Sequence, residues 1–535
     1  MLDMFEVYDY DWSWWDSETT APRAPRAQYA GVVSPAPSQT IHTDRLLRDY
    51  PILKENLQWL EGEFLRAHMK TDEMEGGPGP PNRKMEPLLR QCLEGGIIEA
   101  APRSSGRYRG SGRSFNHSAF TVPKSKPGQL RFILACKDLN KAILHVRLPP
   151  CHFPSYREVV NKVLQKKYVV EYDLQAYFFQ FHLDESARDL LGFRVGNKRY
   201  RMRRAAMGFR GTPQAGQAVS RTIAERATEG SAVNRLVWLD NFIFSANSKE
   251  ELQKVDLLFR SLCAEYGITI GSSTPLDTKG AFLGVDFDLV QGRWRMDPAW
   301  IARIQDGLAA LDLKGAIPLK RWWRIFGLLL WRCHVMQLPL FTAAPILRWM
   351  SALCKGLSVR EDFTAHTWER MISAPLEVQT FIRLAIADLL QNDWRARTDG
   401  PVREVRAFTD ASLTQWCFIL KGESDITQWG FFPEYILDAD IYVKEAYALH
   451  RLVKYWTCKD EHAILSVGVD NNGVIGTWNK AFTLVDTVLE MVMEDHQLLD
   501  SRHSIMIPFY VDTKQNPADA YTRKLTDDHP FFVTN

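Results

Sequence analysis

The stretch RLVWLDNFIFSA, Arg235–Ala246, holds one acidic residue, Asp240, between two apolar runs that favour β-strands. It predicts a β-hairpin with a carboxylate at its tip. A second stretch, EYDLQAYFFQFHLDE (Glu171–Glu185), places Asp173 at the end of another β-prone run, 67 residues earlier (240 − 173). Sheet pairing can bring the two carboxylates together, and such a pair can hold two divalent cations about 4 Å apart. The chemistry this pattern favours is nucleotidyl transfer.

The overall composition is typical of a globular intracellular protein. Of the 535 residues, 45% are hydrophobic and 24% are charged, which excludes the aromatic-poor, charge-rich class of disordered chains. The eight cysteines contain no CxxC pair, so a reducing compartment is expected. The N-terminal stretch MLDMFEVYDYDWSWWD is acidic where a secretory signal is basic, and no apolar run is long enough to span a bilayer. We expect a soluble cytoplasmic or nuclear protein without a membrane partner.

Basic residues are clustered although the net charge is only +2. One group precedes a predicted hairpin and consists of Arg103, Arg107, Arg109 and Arg113. A second group lies further along the chain and consists of Arg199, Arg201, Arg203 and Arg204. Such groups bind nucleic-acid phosphates in some proteins. In most proteins they are merely solvated surface, so their charge alone does not assign a function.

Changes in pattern along the sequence predict a chain of several modules with an α+β fold. Pro- and Ser-rich sequence at the start favours a flexible leader, and GGPGPPN stops any regular element. The predicted segments are a leader at 1–43, a helical segment with linker at 44–83, a mixed α/β module at 84–290, a Trp-rich helical segment at 291–400 and a smaller α/β module at 401–535.

Four acids in the last module form a second constellation. Asp410 lies within an apolar strand pattern, and Asp470 follows another. Glu445 and Asp519 lie in helical runs. A single acid is usually a solvated surface group. Four acids that point into one cleft can hold two cations, which activate water and stabilise the charge on a scissile phosphate. The pattern therefore predicts a two-metal nuclease.

The order of motifs between about Met85 and Leu289 resembles the reverse transcriptase family of retroviruses and retrotransposons. The motifs are GQLRFILACKDLNKAIL, EYDLQAYFFQFHLDE, AMGFRGTPQAGQ, RLVWLDNFIFSA and FLGVDFDL. The resemblance implies a right-hand polymerase with fingers, palm and thumb. It also implies that Lys124 and Arg131 bind the incoming triphosphate, and that Gly208 lies in the segment that packs under the template and the nucleotide.

The resemblance gives Phe178 a specific role. Counted from Asp173, its position matches the residue that contacts the sugar of the incoming nucleotide. An aromatic ring there leaves no room for a 2′-hydroxyl, so deoxynucleotides are expected to be preferred. The alternative is that Tyr177, Phe178 and Phe179 are core aromatics, which is the more common role of an isolated aromatic run.

One residue departs from the family pattern. Asn241 follows Asp240 where the family usually has a second aspartate. An amide oxygen can still bind a cation but contributes no charge, so cation affinity is expected to be lower. Some RNA-virus polymerases have an Asp-Asn pair at the matching tip. An active polymerase and an inactive palm retained as a scaffold both remain open.

The four acids of the last module resemble RNase H in order and approximate spacing, and NPADAYTR resembles the closing motif of retroelement versions. The Trp-rich stretch KRWWRIFGLLLWRCHVMQLPL is most similar to the connection of DIRS-like retrotransposons. The resemblance implies a protein that extends a DNA primer with dNTPs on an RNA template and cleaves the resulting RNA–DNA hybrid. Each of the two sites is expected to bind two Mg²⁺ or Mn²⁺ ions. The ligands are Asp173, Asp240 and Asn241 in the polymerase site and the four acids of the last module in the nuclease site.

Two other interpretations fit the same residues. The chain can be a domesticated, polymerase-inactive protein that binds nucleic acid or other proteins. It can also be a hybrid-specific nuclease whose palm only positions the substrate.

Overall fold

The computed structural model describes residues 30–70, 83–102, 117–124, 128–149, 153–309, 313, 315–356, 369–396, 403–422, 424–461 and 463–524. Most of the predicted leader, the GGPGPPN stretch and the basic cluster from Arg103 to Arg113 lie outside these residues. The described residues divide into two compact units, one within 1–311 and 392–394 and the other within 312–391 and 395–535. Mixed helices and strands in both confirm the α+β class.

Thirteen described strands belong to the first unit by position, and their bounds are β1 (Val32–Val33), β2 (Ile98–Ala100), β3 (Ser118–Pro123), β4 (Gln129–Ala135), β5 (Tyr168–Leu174), β6 (Gly192–Val195), β7 (Lys198–Met202), β8 (Asn234–Trp238), β9 (Asn241–Ala246), β10 (Ile270–Ser273), β11 (Lys279–Phe282), β12 (Val285–Asp288) and β13 (Arg293–Met296). Its described α-helices are Thr43–Asp49, Lys54–Leu57, Gly62–His68, Glu86–Glu94, Lys137–Ala142, Tyr156–Leu164, Glu185–Leu190, Gly211–Ala227, Lys249–Glu265 and Pro298–Ala309. Short 3₁₀ helices cover Pro51–Leu53, Gln58–Leu60, Arg83–Met85 and Tyr177–Gln180.

In the second unit the described strands are β14 (Ile317–Pro318), β15 (Met371–Ile372), β16 (Arg395–Ala396), β17 (Arg403–Ala411), β18 (Gln415–Leu420), β19 (Ile426–Phe431), β20 (Ala463–Val469) and β21 (Ile505–Tyr510). Its described α-helices are Leu319–Val335, Ala344–Gly356, Leu376–Gln391, Glu434–Leu437, Ile441–Thr457, Asn472–Lys480, Asp486–Ser501 and Asp519–Lys524. Two 3₁₀ helices cover Leu340–Ala343 and Thr513–Gln515.

The N-terminal helical pattern is interrupted rather than continuous. The helix Thr43–Asp49 ends before Pro51, and a 3₁₀ turn separates it from the next helix. Proline has no amide hydrogen and disfavours the helical conformation of the preceding residue, here Tyr50. The segment predicted as helical from residue 44 is therefore broken at Pro51.

The central sheet of the first unit is antiparallel, with strand order β10-β5-β9-β8. The helices Gly211–Ala227 and Lys249–Glu265 pack next to this sheet, and both follow from apolar residues at helical spacing. Buried aromatic rings such as Phe242, Phe244 and Phe259 fill the space between sheet and helix. This packing supports the edge of the sheet where β5 ends and β9 begins, and the two predicted polymerase acids lie at that edge.

The second unit contains a five-stranded mixed sheet with strand order β19-β18-β17-β20-β21. The first three strands are antiparallel, whereas β17, β20 and β21 are parallel neighbours. Parallel neighbours need a crossover connection, and the helix Ile441–Thr457 lies between β17 and β20 in the chain. The nearly continuous apolar run of β20 is buried, as expected for an inner parallel strand.

No helix in the part of the chain that the structure describes is long and apolar enough to cross a membrane.

Candidate active sites

A tight turn joins β8 to β9 and carries the predicted tip acid. The pair Trp238 and Asn241 closes the hairpin, so Leu239 and Asp240 are its two turn residues. Leu239 has a φ of 54°, in the left-handed region that non-glycine residues rarely adopt. Gln217 holds this turn: its carbonyl oxygen accepts a hydrogen bond from the Leu239 amide at 2.6 Å, and its amide group donates to the Val237 carbonyl at 2.9 Å. Side-chain hydrogen bonds therefore hold the strained turn in place.

Strand pairing brings the predicted metal ligands of the palm together. Asp173 lies directly opposite Asn241 in the antiparallel pair of β5 and β9. The amide of Leu174 donates a hydrogen bond to the backbone carbonyl of Asp240 at 2.9 Å. Directly opposed residues project to the same face of a sheet. Asp173 and Asn241 therefore share a face, and Asp240 lies next to them in the turn.

Two basic residues act on the carboxylate of Asp173. Partial loss of hydration raises the pKa of Asp173, and the positive charges of Lys124 and Arg131 oppose that rise. Lys124 directly follows strand β3, and Arg131 lies on strand β4, which pairs with β3. The charges of both residues thus act on the carboxylate for which the sequence predicted a role next to the triphosphate.

The segment around Gly208 packs closely on the strand β4. Gly208 has a φ of 110°, and a Cβ atom at this position would lie 2.2 Å from the carbonyl oxygen of Leu134. Asn140 fixes the same segment, since its side chain donates to the Gly208 carbonyl at 2.9 Å and accepts from the Arg210 amide at 3.0 Å. Glycine is required here both by backbone conformation and by space.

The predicted sugar-contacting residue lies in the 3₁₀ turn Tyr177–Gln180, which is separated from the end of β5 by two residues. Phe178 is half-buried, between the fully buried Tyr177 and Phe179. Its ring packs against the helix at Gly216, where a Cβ atom would lie 3.2 Å from the ring. The hydroxyl of Tyr177 donates to the Gly216 carbonyl at 2.9 Å, which fixes the neighbouring ring. A half-buried ring is compatible with both predicted roles of Phe178.

In the second unit, three of the four predicted nuclease acids lie in one cluster. One carboxylate oxygen from each of Asp410, Glu445 and Asp470 lies within 4.8 Å of the other two. Asp410 lies near the end of β17 and Asp470 directly follows β20. Because these strands are parallel neighbours, their carboxyl ends meet at one edge of the sheet. Glu445 reaches the same edge from the second turn of the helix Ile441–Thr457.

Glu445 is the member of this cluster whose pKa is raised by burial and by its acidic neighbours. Burial raises the pKa of Glu445 to about 9, and the negative charges of Asp470, Asp410 and Asp519 add to the rise. The Oε2 atom of Glu445 is buried without a hydrogen-bond partner in the described part of the chain. A buried, partnerless carboxylate oxygen among like charges is the environment in which a divalent cation binds favourably. The donor set, all hard oxygen atoms, suits Mg²⁺ or Mn²⁺.

The fourth acid and several residues not identified from the sequence lie on the C-terminal segment. Asp519 begins the helix Asp519–Lys524, and its charge acts on Glu445. Thr522 donates a hydrogen bond to the carboxylate of Asp410, and Thr513 donates to that of Asp470 at 2.8 Å. The sequence motif NPADAYTR contains Thr522 but gave no indication of its partner. Only the folded chain relates these threonines to residues 112 and 43 positions away.

Comparison with known sequences gives two matches. Residues 122–285 match the family described as "Reverse transcriptase (RNA-dependent DNA polymerase)". The retrovirus-related Pol polyprotein from transposon 412 of Drosophila melanogaster is 26% identical over 148 residues, which make up 28% of this chain. The same residues cover 12% of that polyprotein, so the chain matches only a small part of this curated relative.

Solved structures of foamy viral protease–reverse transcriptase are also similar. The complex with RNA/DNA hybrid aligns with a TM-score of 0.48 at 15% identity, covering 92% of this chain and 63% of that one. The complex with dsDNA aligns with a TM-score of 0.45 at 16% identity, covering 84% of this chain and 87% of that one.

Proposed function

We propose that the chain, whose residues 122–285 match the reverse transcriptase family, copies an RNA template into DNA and degrades the RNA strand of the resulting hybrid. The observation that carries the proposal is the pairing of Asp173 with Asn241 next to Asp240. The charges of Lys124 and Arg131 also act on Asp173. The acid cluster of the second unit supports the nuclease part. The two activities are complementary, because copying RNA produces the hybrid that the nuclease removes.

For the polymerase reaction, Asp173 and Asp240 are the proposed carboxylate ligands of two divalent cations, and Asn241 offers a neutral oxygen. Such cations, when bound, activate the primer hydroxyl and neutralise the leaving pyrophosphate. Lys124 and Arg131 are proposed to bind the triphosphate, since their positive charges already act on Asp173. Gly208 allows its segment to lie against β4, and Phe178 is proposed to exclude the 2′-hydroxyl of ribonucleotides.

For the nuclease reaction, Asp410, Glu445, Asp470 and Asp519 are the proposed cation ligands. With cations bound, these acids position a water molecule for attack on the RNA phosphate. Burial raises the pKa of Glu445 and the neighbouring negative charges add to the rise, so a bound cation would stabilise the charged form of this carboxylate. The proposed partners are therefore RNA template, DNA primer, dNTPs and RNA–DNA hybrid, with Mg²⁺ or Mn²⁺ as cofactor.

Primer extension on a defined RNA template tests the polymerase. Asp173→Asn and Asp240→Asn each remove one carboxylate charge and should reduce extension at least about 100-fold. Asp256→Asn is the matched control, because Asp256 forms a surface ion pair with Arg260 on a helix of the same unit. Equal extension by wild type and Asp240→Asn would exclude the polymerase assignment.

Cleavage of a labelled RNA–DNA hybrid tests the nuclease separately. Asp410→Asn should lose cleavage at millimolar Mg²⁺ while thermal melting of the chain stays close to that of wild type. Asp500→Asn, an exposed substitution in the same unit, should cleave normally. A wild-type chain that leaves the hybrid intact with both Mg²⁺ and Mn²⁺ would exclude the nuclease.

Asn241 keeps an alternative function open, because the palm has one charge fewer than its family pattern. Absence of extension together with normal hybrid cleavage would establish a nuclease whose palm only positions the substrate. Absence of both activities would favour a domesticated scaffold that binds nucleic acid or protein.

A further inference from the structure

The geometry points to Thr513 and Thr522 as positioning residues that orient two carboxylates of the acid cluster for cation binding. This inference rests on the proposed nuclease function. It assigns a role to the segment from Thr513 to Thr522, which supplies one acid, Asp519, and also holds two others in place.

Thr522 is the contact to Asp410. Its hydroxyl donates to Oδ2 of Asp410, and both residues are nearly excluded from solvent, with exposed fractions of 7% and 4%. The same hydroxyl oxygen lies 3.2 Å from the backbone carbonyl of Asp519. A hydroxyl has one proton to donate, and the charged carboxylate is the stronger acceptor. Thr522 therefore binds Asp410 and lies against the first turn of the helix that begins at Asp519.

Thr513 makes the equivalent contact to Asp470. Its hydroxyl donates to Oδ2 of Asp470 at 2.8 Å. The two threonines thus lie at opposite ends of one segment of ten residues (522 − 513 + 1), and each binds a different member of the cluster.

Contacts other than those to the acids fix the segment between the two threonines. The side chain of Asn516 donates to the carbonyl of Thr409 at 2.8 Å and accepts from the amide of Ala518 at 3.2 Å. Asn516 is 4% exposed, and Ala518 is fully buried against Cys417 and Ile419. The hydrogen bond from Asn516 to the backbone of Thr409 and the apolar packing of Ala518 therefore hold the segment next to Asp410. Its threonines are held in position before any cation binds.

The choice of threonine has a chemical reason. A carboxylate has two oxygen atoms, and a hydrogen bond to one of them limits rotation of the group. A lysine or arginine at these positions would also orient the carboxylate, but its positive charge would compete with the cation. A neutral hydroxyl orients the ligand and leaves its negative charge in place. Loss of such a supporting hydrogen bond typically weakens metal affinity by about 10- to 100-fold.

The test compares Thr522→Val, which keeps the shape and removes the hydroxyl, with Thr522→Ser, which keeps the hydroxyl. Thr457→Val is the matched control, because Thr457 is 2% exposed and, among the described residues, its hydroxyl donates to backbone carbonyls of its own helix. Two quantities are measured on the full chain: the Mg²⁺ concentration that gives half of the cation-induced rise in melting temperature, and the Mg²⁺ dependence of hybrid cleavage.

Thr522→Val should raise both half-saturating Mg²⁺ concentrations by about 10-fold or more, with the KM for hybrid at saturating Mg²⁺ unchanged. Thr522→Ser should restore wild-type values, Thr513→Val should show a smaller shift in the same direction, and Thr457→Val should show none. If Thr522→Val does not fold, Thr513→Val and Thr522→Ser still decide the question.

Failure of this inference differs from failure of the proposed nuclease. If Thr522→Val and Thr513→Val cleave the hybrid as fast as the wild type and with the same Mg²⁺ dependence, the positioning role alone is overturned. Equal shifts in Thr457→Val would also overturn it, since they would reflect general loosening of the unit. A wild type that neither cleaves hybrid nor gains stability with Mg²⁺ or Mn²⁺ would overturn the nuclease itself.

Discussion

The side-chain amide of Asn241 donates a hydrogen bond of 3.0 Å to the carboxylate of Asp240. The residue that departs from the reverse transcriptase pattern is therefore in direct contact with a proposed cation ligand. An aspartate at 241 could not make this bond and would instead place two negative charges side by side. Such a pair is unfavourable without a cation and favourable with one.

Asn241→Asp is expected to raise primer extension at limiting Mg²⁺ by several-fold, because the added charge strengthens cation binding. The measurement is the initial rate of extension over a range of Mg²⁺ concentrations. Asn247→Asp is the matched control, since Asn247 is an exposed residue that directly follows β9. Lower activity of Asn241→Asp at every Mg²⁺ concentration would mean that the site has adapted to its Asp-Asn pair.

Phe178→Val should increase incorporation of ribonucleotides relative to deoxynucleotides by about 10-fold or more, because a smaller side chain leaves space for the 2′-hydroxyl. The half-buried position of the ring fits this role but is equally compatible with packing against Gly216. The ratio of the two kcat/KM values is the measurement, with deoxynucleotide incorporation as the internal control for folding. An unchanged ratio would identify Phe178 as a core residue.

Gly208→Ala should destabilise the first unit and abolish extension. Its Cβ would overlap the carbonyl of Leu134, and its φ of 110° is strained for alanine. Gly230→Ala separates the two causes, because Gly230 also has a positive φ, 72°, but nothing lies within 4 Å of the added atom. The control should lose only about 1 to 2 kcal/mol. Similar melting temperatures for the two variants would show that β4 moves to accommodate the methyl group.

Asp495→Asn should change how the stability of the second unit depends on pH. Asp495 is fully buried, accepts hydrogen bonds from His450 and Trp478, and burial raises its pKa to about 6. Because this is above the ordinary value of 3.8, the folded protein holds the proton more tightly than the unfolded chain does. The stability from this group is complete below about pH 4 and is lost as the pH rises through about 6.

The amide of Asp495→Asn cannot lose a proton, so the melting temperature of this variant relative to wild type should increase between about pH 4 and 7. Calorimetric scans across this range measure the difference. The exposed Asp500→Asn on the same helix should show a profile parallel to that of wild type. A parallel profile for Asp495→Asn as well would contradict the assigned pKa shift.

Local pattern was sufficient to predict the β8–β9 hairpin with Asp240 at its tip, and the strand that ends near Asp173. Alternating and continuous apolar runs determine which residues pair and which face they share. The separation of Asp410, Glu445 and Asp470 along the chain was likewise visible in the sequence, and the parallel order of β17 and β20 brings these acids together. The roles of all these residues in catalysis remain predictions.

Long-range hydrogen bonds were not predictable in the same way. Gln217 holds the strained turn at Leu239, and Asn140 holds the segment at Gly208, yet nothing in the local sequence of either residue indicates its partner. Their effect depends on distances of a few tenths of an ångström between segments that only packing brings together.

Sequence by itself determined the motif order, the apolar faces and the identity of the acids, because these follow from residue type and short-range periodicity. Tertiary structure decided the burial of those acids and the charges and hydrogen bonds that surround them. It buries Glu445 among like charges, subjects Asp173 to the charges of Lys124 and Arg131, and places Thr522 against Asp410. The physical reason is that burial and electrostatic interaction depend on separation in space, and residues tens of positions apart in the sequence acquire a defined separation only when the chain folds.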